Sequence, residues 1–117
     1  MFELNPNLAV YLYRDHIDFR KNINGLAALV EHDLALDPFA DALYVFGNRR
    51  RDRVKILGWS RNGFWLLQKR LESERFIWPR DNQRVMELTM QQLHWLLECI
   101  DIGVVQRHPR RVYAHVG

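Results

Sequence analysis

Leu43-Tyr44-Val45-Phe46-Gly47-Asn48-Arg49-Arg50-Arg51-Asp52-Arg53-Val54-Lys55-Ile56-Leu57-Gly58-Trp59 decides the architecture of this chain. The runs Leu43 to Phe46 and Arg53 to Trp59 flank a charged, turn-forming tip, so the stretch reads as a β-hairpin. Just downstream, Asn62-Gly63 tolerates the positive φ angles of a two-residue type I′ turn, which predicts a second hairpin. A tight turn there pairs Arg61 with Phe64, Trp59 with Leu66, Gly58 with Leu67, Ile56 with Lys69 and Lys55 with Arg70. Strand alternation then sets Arg53, Lys55, Trp59, Phe64, Gln68 and Arg70 on one face, opposite Val54, Ile56, Trp65, Leu67 and Leu71. The same register turns Lys69 toward the core. Phe64, Leu67 and Leu71 also fit one stripe of a short helix, so strand and helix both stand for residues 64–71.

Outward from this centre, Ala9 to Tyr13 carries the apolar and aromatic residues of a strand, after a short arm over residues 1–8. Ile23, Leu26, Ala27, Val30 and Leu34 recur at helical spacing, and Asp18 is a candidate cap for that helix. Phe76 to Trp78 has the composition of one more short strand, ended by Pro79. Thr89-Met90-Gln91-Gln92 matches a capping box, and Leu93, Leu96, Leu97 and Ile100 continue as an apolar stripe, predicting a helix from about Met90 to Ile100. The expected fold is α+β: a small antiparallel sheet of hairpins packed with about two main helices, one domain over residues 9–102, and a basic tail over 103–117.

Composition agrees with one domain. The 117 residues are 48% hydrophobic, enough apolar side chain for a single core. A net charge of only +3 conceals an asymmetry. Between Gly47 and Arg84, eleven basic residues stand against four acidic ones, a net +7, while the rest of the chain carries −4. Arginine outnumbers lysine fourteen to three, and its planar fork suits phosphate better than solubility alone requires. Such clustering points to nucleic acid, with Arg49, Arg50, Arg51, Arg53, Lys55, Arg61 and Arg70 on phosphates and Trp59 stacking on a base. A solvated hairpin tip is the plainer reading of the same cluster.

Other chemistry finds little support. His16, His32, His94, His108 and His115 are scattered, and the single Cys99 has no partner, so neither metal site nor disulfide is expected. Asp33, Asp37 and Asp41 recur every four residues, but Pro38 interrupts any helical face and assigns them to loops and caps. Ser60 and Ser73 lack a nucleophile elbow, and no glycine-rich phosphate loop is present. No catalytic residue, cofactor or recognition helix is expected. Trp95 departs from its helix's apolar stripe and is a candidate for a protein contact. No secretory leader pattern or membrane-spanning apolar run appears, so the expected compartment is the cytoplasm.

The chain also resembles a known family. The resemblance rests on Val10-Tyr11-Leu12-Tyr13-Arg14, Asp18-Phe19-Arg20-Lys21 with Gly25-Leu26, and Leu43 to Phe46 with Asn48 to Lys55. It continues through Trp59, Gly63-Phe64-Trp65-Leu66, Lys69-Arg70-Leu71-Glu72, Arg75-Phe76, Trp78-Pro79 and Glu87-Leu88-Thr89. Together these blocks resemble the small accessory protein, TnpB or second-open-reading-frame type, of bacterial insertion-sequence-66 family transposable elements. That protein is distinct from the much longer RNA-guided nuclease that shares its name. Departures fall at turns, near Asp15-His16, Asn22, Ser60 and Glu74. The resemblance implies support of transposition beside a separately encoded DDE-type transposase, with no catalytic residue to carry over. DNA is the expected partner, and the alternative is an adaptor that docks on the transposase or another accessory subunit.

Overall fold

The alternating residues of Ala9–Tyr13 form β1, with Val10 and Leu12 fully buried on one side and Tyr11 and Tyr13 on the other. It is the first element of the computed structural model, which describes residues 7–107. The expected arm and the end of the expected tail therefore lie largely outside the described residues.

Helix α1 (Ile23–His32) follows, and its cap is Asn22 rather than Asp18. Asn22 is extended, and its side-chain oxygen accepts from the Gly25 amide at 3.1 Å, satisfying one orphan donor of the first turn. Asp18 lies too far upstream and instead pairs with Arg20 at 2.6 Å. Leu26, Leu29 and Val30 bury the core face, but Leu34 falls beyond the helix, which stops before Ala35 at φ 54°.

Because α1 carries the chain back, β2 (Ala42–Gly47) runs parallel to β1, with Ala9 opposite Ala42 and Leu12 opposite Val45. The sheet is thus mixed, not antiparallel throughout. Every residue of β2 is buried, as befits a central strand covered on both faces. Strands β3 (Arg53–Ser60) and β4 (Gly63–Arg70) complete two hairpins, so residues 64–70 are strand and not helix. An additional strand, β5 (Val85–Leu88), pairs antiparallel with β1 and gives the order β4-β3-β2-β1-β5. Phe76 to Trp78 is not a strand; it crosses the end of the sheet with Phe76 and Trp78 buried.

The β3–β4 register differs from the expected one by two residues. Trp59 faces Phe64 and Lys55 faces Gln68, because the turn residues are Arg61 and Asn62, with Arg61 at φ 53° and Gly63 already in the strand. A slip of two preserves the alternation, so each side chain keeps its predicted face. Lys69 does lie on the predicted side, but β4 is the sheet's edge, and there the ammonium reaches the Leu97 carbonyl at 2.8 Å.

Helix α2 (Met90–Leu97) starts with the predicted capping box: Thr89 Oγ1 accepts from the Gln92 amide, and Gln92 Oε1 from the Thr89 amide. It ends three residues before Ile100. Cys99 turns left-handed at φ 62°, and the Cys99 and Ile100 amides close on the Leu96 and Trp95 carbonyls. Helix α3 (Ile102–Arg107), with Ile102 buried, continues the fold past position 103. The sheet therefore separates two cores. One joins Val10, Leu12, Leu43 and Val45 to Leu93, Leu96 and Trp78, with Trp95 packed on it; the other joins Tyr13, Tyr44 and Phe46 to α1.

Candidate nucleic-acid interface

The arginine-rich tip between β2 and β3 is a tightly bonded loop. Asn48 Oδ1 accepts from the Asp52 and Arg53 amides, and its Nδ2 donates to Asp52 Oδ1 at 2.6 Å. That amide donor holds the Asp52 carboxyl below its usual range. With Asn48 tying both ends, Arg51 is held at φ 61°, a left-handed conformation that non-glycine residues rarely take. Arg49 and Arg50 point outward and are exposed, whereas Arg51 is half-buried and its guanidinium lies 5.0 Å from the centre of the Trp78 ring.

Distant segments are laced to this loop. The Phe76 amide donates to the Arg51 carbonyl at 2.7 Å, and Arg75 Nη1 to the Arg50 carbonyl at 2.8 Å. Trp78 Nε1 donates to the Tyr13 carbonyl, and the Arg14 amide to the Arg84 carbonyl. Gly47 makes room for Trp78, since a Cβ there would sit 2.9 Å from ring atom Cη2. One end of the sheet consequently gathers Arg49, Arg50, Arg51, Arg53 and Arg70 with Arg14, Arg75, Arg80 and Arg84. Arg53 and Arg70 face each other across β3 and β4, a like-charge pair only partly offset by Glu72 at 3.1 Å from Arg70. Arg49, Arg53, Arg80 and Arg84 are exposed, with no side-chain hydrogen bond or ion pair among the described residues.

Not every expected residue joins this cluster. Lys55 is 7% exposed, and its ammonium donates to the Phe19 and Lys21 carbonyls at 2.7 and 2.8 Å. Burial pushes its pKa below the ordinary lysine range, Arg53 adds repulsion and Asp18 opposes both. Lys55 on the basic face therefore points under the chain between β1 and α1, where a phosphate contact has no room. Arg61 and Trp59 stand at the other end of β3, roughly 20 Å away at about 3.3 Å per residue. Trp59 is partly buried in an aromatic trio, with ring centres 5.0 Å from both Phe39 and Phe64. Arg80 and Arg84 belong to the basic segment read from the sequence but not to the contacts singled out there, and Arg14 and Trp78 are not among the expected members of the surface. Arg14 carries no sequence signal as a binding residue, standing alone at the end of an apolar strand, although it closes one of the blocks that carry the family resemblance.

A family model described as IS66 Orf2-like protein matches residues 8–107, nearly all of the chain. The chain belongs to the IS66 Orf2-like family. Two uncharacterized proteins of Sinorhizobium fredii are similar to it along most of their length. One, y4jC, is 32% identical over 102 residues, covering 87% of each chain. The other, y4hO, is 31% identical over 113 residues, covering 97% of this chain and 95% of its own. No solved structure matches. Membership gives this IS66 Orf2-like protein an accessory role in transposition. Among the described residues no helix is long and apolar enough to cross a membrane.

Proposed function

We propose that this IS66 Orf2-like protein is a non-catalytic DNA-binding factor that grips the phosphate backbone with the arginine-bearing end of its sheet, beside a DDE transposase. One observation carries the reading. The loop after β2, the start of β3 and the 75–84 segment converge on one end of the sheet, and Arg49, Arg53, Arg80 and Arg84 stand there exposed, with no side-chain hydrogen bond or ion pair among the described residues. Guanidinium groups so placed repel one another in the free protein and are relieved by a polyanion. Relative to the sequence-based set, Arg49, Arg50, Arg51, Arg53 and Arg70 stay in the interface and Arg80 and Arg84 join it. Lys55 leaves it, and Arg61 with Trp59 forms no part of the same contact.

Salt titration of duplex binding tests this. Engagement of about six phosphates makes affinity fall on the order of a thousandfold between about 50 and 200 mM salt. A flat salt response, or unchanged affinity after Arg49, Arg50 and Arg53 are replaced by alanine, refutes it.

A second reading, the adaptor, is favoured by the edge strand β4, where Trp65 and Leu67 are 37% and 39% exposed on one face. In that case the isolated protein shows no salt-dependent DNA binding. It copurifies with the transposase, and Leu67→Glu abolishes that association.

A further inference from the structure

Between the end of β1 and residues 77–81 lies a cleft of about 460 Å³ whose wall includes Arg14, His16, Arg51, Trp78 and Arg80. We propose that this cleft is a phosphate-binding pocket in which Arg51 and Arg80 hold one phosphate group. The phosphate's assignment to a nucleic-acid strand rests on the DNA-binding reading above.

The charge count of the lining favours an anion. Three arginines, Arg14, Arg51 and Arg80, face two carboxylates, Asp15 and Asp81, which leaves one positive charge in excess before His16 is considered. The carboxylates are engaged. Arg14 pairs with Asp15 at 3.0 Å and draws its carboxyl below the usual range, and Asp81 Oδ1 accepts from the Gln83 amide. Arg14 also donates to the Asp81 and Asn82 carbonyls, which pins the far lip of the cleft.

Arg51 and Arg80 are the uncommitted cations. Arg51 Nη1 is buried from solvent and has no hydrogen-bond partner among the described residues. A buried N–H of a charged group normally has an acceptor, and leaving it without one costs on the order of 1–3 kcal/mol. Burial correspondingly lowers the pKa of this guanidinium, with Asp15 opposing. Its backbone is held at φ 61° by the Asn48-bonded loop, which fixes where the side chain leaves the chain. The Trp78 ring beneath Arg51, fixed by its bond to the Tyr13 carbonyl, keeps the fork in place before any ligand arrives. An oxyanion in the cleft meets the part of the same guanidinium that is not buried, which also makes no hydrogen bond among the described residues, and the exposed Arg80 closes on it from the other wall. Ile77, 44% exposed, and Pro79 give the cleft an apolar side and room for the sugar attached to the phosphate.

The test uses the full chain and follows the Trp78 indole N–H and Arg51 side-chain N–H signals in 1H–15N spectra. Inorganic phosphate and thymidine 5′-monophosphate should shift both signals saturably, whereas thymidine, or chloride at matched ionic strength, should not. Arg80→Ala should weaken phosphate binding about fivefold or more. Arg51→Lys, which keeps the charge and loses the fork, should do the same; on duplex DNA Arg80→Ala should lower the salt slope by about one phosphate, whereas Arg51→Lys should lower affinity with the slope unchanged. Chloride producing the same shifts, or no saturation with either phosphate compound, overturns the pocket. DNA binding that keeps its full salt slope in Arg80→Ala and its full affinity in Arg51→Lys overturns its assignment to DNA and leaves the DNA-binding reading standing. Saturation by phosphate in a protein that binds no DNA upholds the pocket, rejects that reading and makes free phosphate compounds the source.

Discussion

Replacing Lys55 by methionine separates a structural lysine from a phosphate contact. Methionine keeps an unbranched apolar stem but no ammonium, so the Phe19 and Lys21 carbonyls, now 2.7 and 2.8 Å from Nζ, both lose their donor. Hydrogen bonds to a charged group contribute about 1.5–3 kcal/mol each, giving roughly 3–6 kcal/mol gross. Against this stands relief of the ammonium's own burial, which is 7% exposed and repelled by Arg53, so the net loss is about 2–3 kcal/mol. For a domain of this size that lowers Tm on the order of 10 °C. Thermal unfolding followed by circular dichroism reads the loss. At a temperature where both proteins are folded, DNA affinity and its salt slope should match those of the parent. An unchanged Tm together with a fall in affinity and a shallower salt slope would show that Lys55 faces phosphate, and the assignment here would be wrong.

Three further perturbations follow from the fold. Gly47→Ala drives a Cβ against the Trp78 ring at 2.9 to 3.0 Å and should cost about 1–3 kcal/mol in urea unfolding, with the Arg51 loop disturbed as well. Thr89→Ala removes half of the α2 capping box and should cost about 1 kcal/mol by the same measurement, while Gln91→Ala, outside the box, should cost much less. The Tyr44 hydroxyl donates to the Asp37 carbonyl, and burial, then Tyr11 and Asp37, pushes its pKa up from 10.0 to about 12. Its contribution to stability is present below pH 10 and is lost as pH rises toward about 12, because the unfolded tyrosine ionises first. Unfolding at a series of alkaline pH values should show that decline, and it should be smaller in Tyr44→Phe.

The local rules were legible wherever a few adjacent residues settle the matter. Thr89 with Gln92 announces a capping box, β-branched and aromatic runs announce β1, β2 and β3, and Asp33 and Asp37 do serve as cap and turn residues. The two faces of β3 and β4 were also legible, because alternation has a period of two and survives the two-residue change of register. Local rules fail where competing turn residues lie side by side. Asn62-Gly63 is the better turn by composition, yet the chain turns at Arg61-Asn62, which sets the all-apolar pair Ile56 and Leu67 opposite each other in place of Ile56 and Lys69.

By itself the sequence determined an α+β domain and a middle segment rich in arginine, since both follow from composition and short-range periodicity. It also carried the blocks that mark an IS66 Orf2-like protein. Only the tertiary structure decided that β1 and β2 are parallel, that β5 exists, and which arginines share a surface. The reason is that a helical crossover and a returning strand bring Arg14 and Arg84 to the same end as Arg51, although 70 positions separate the first two. Charge that is continuous along the chain is divided by a strand roughly 25 Å long, at about 3.3 Å per residue, into two ends that face different directions. Burial then draws Lys55 out of that charge and commits it to the carbonyls of a loop.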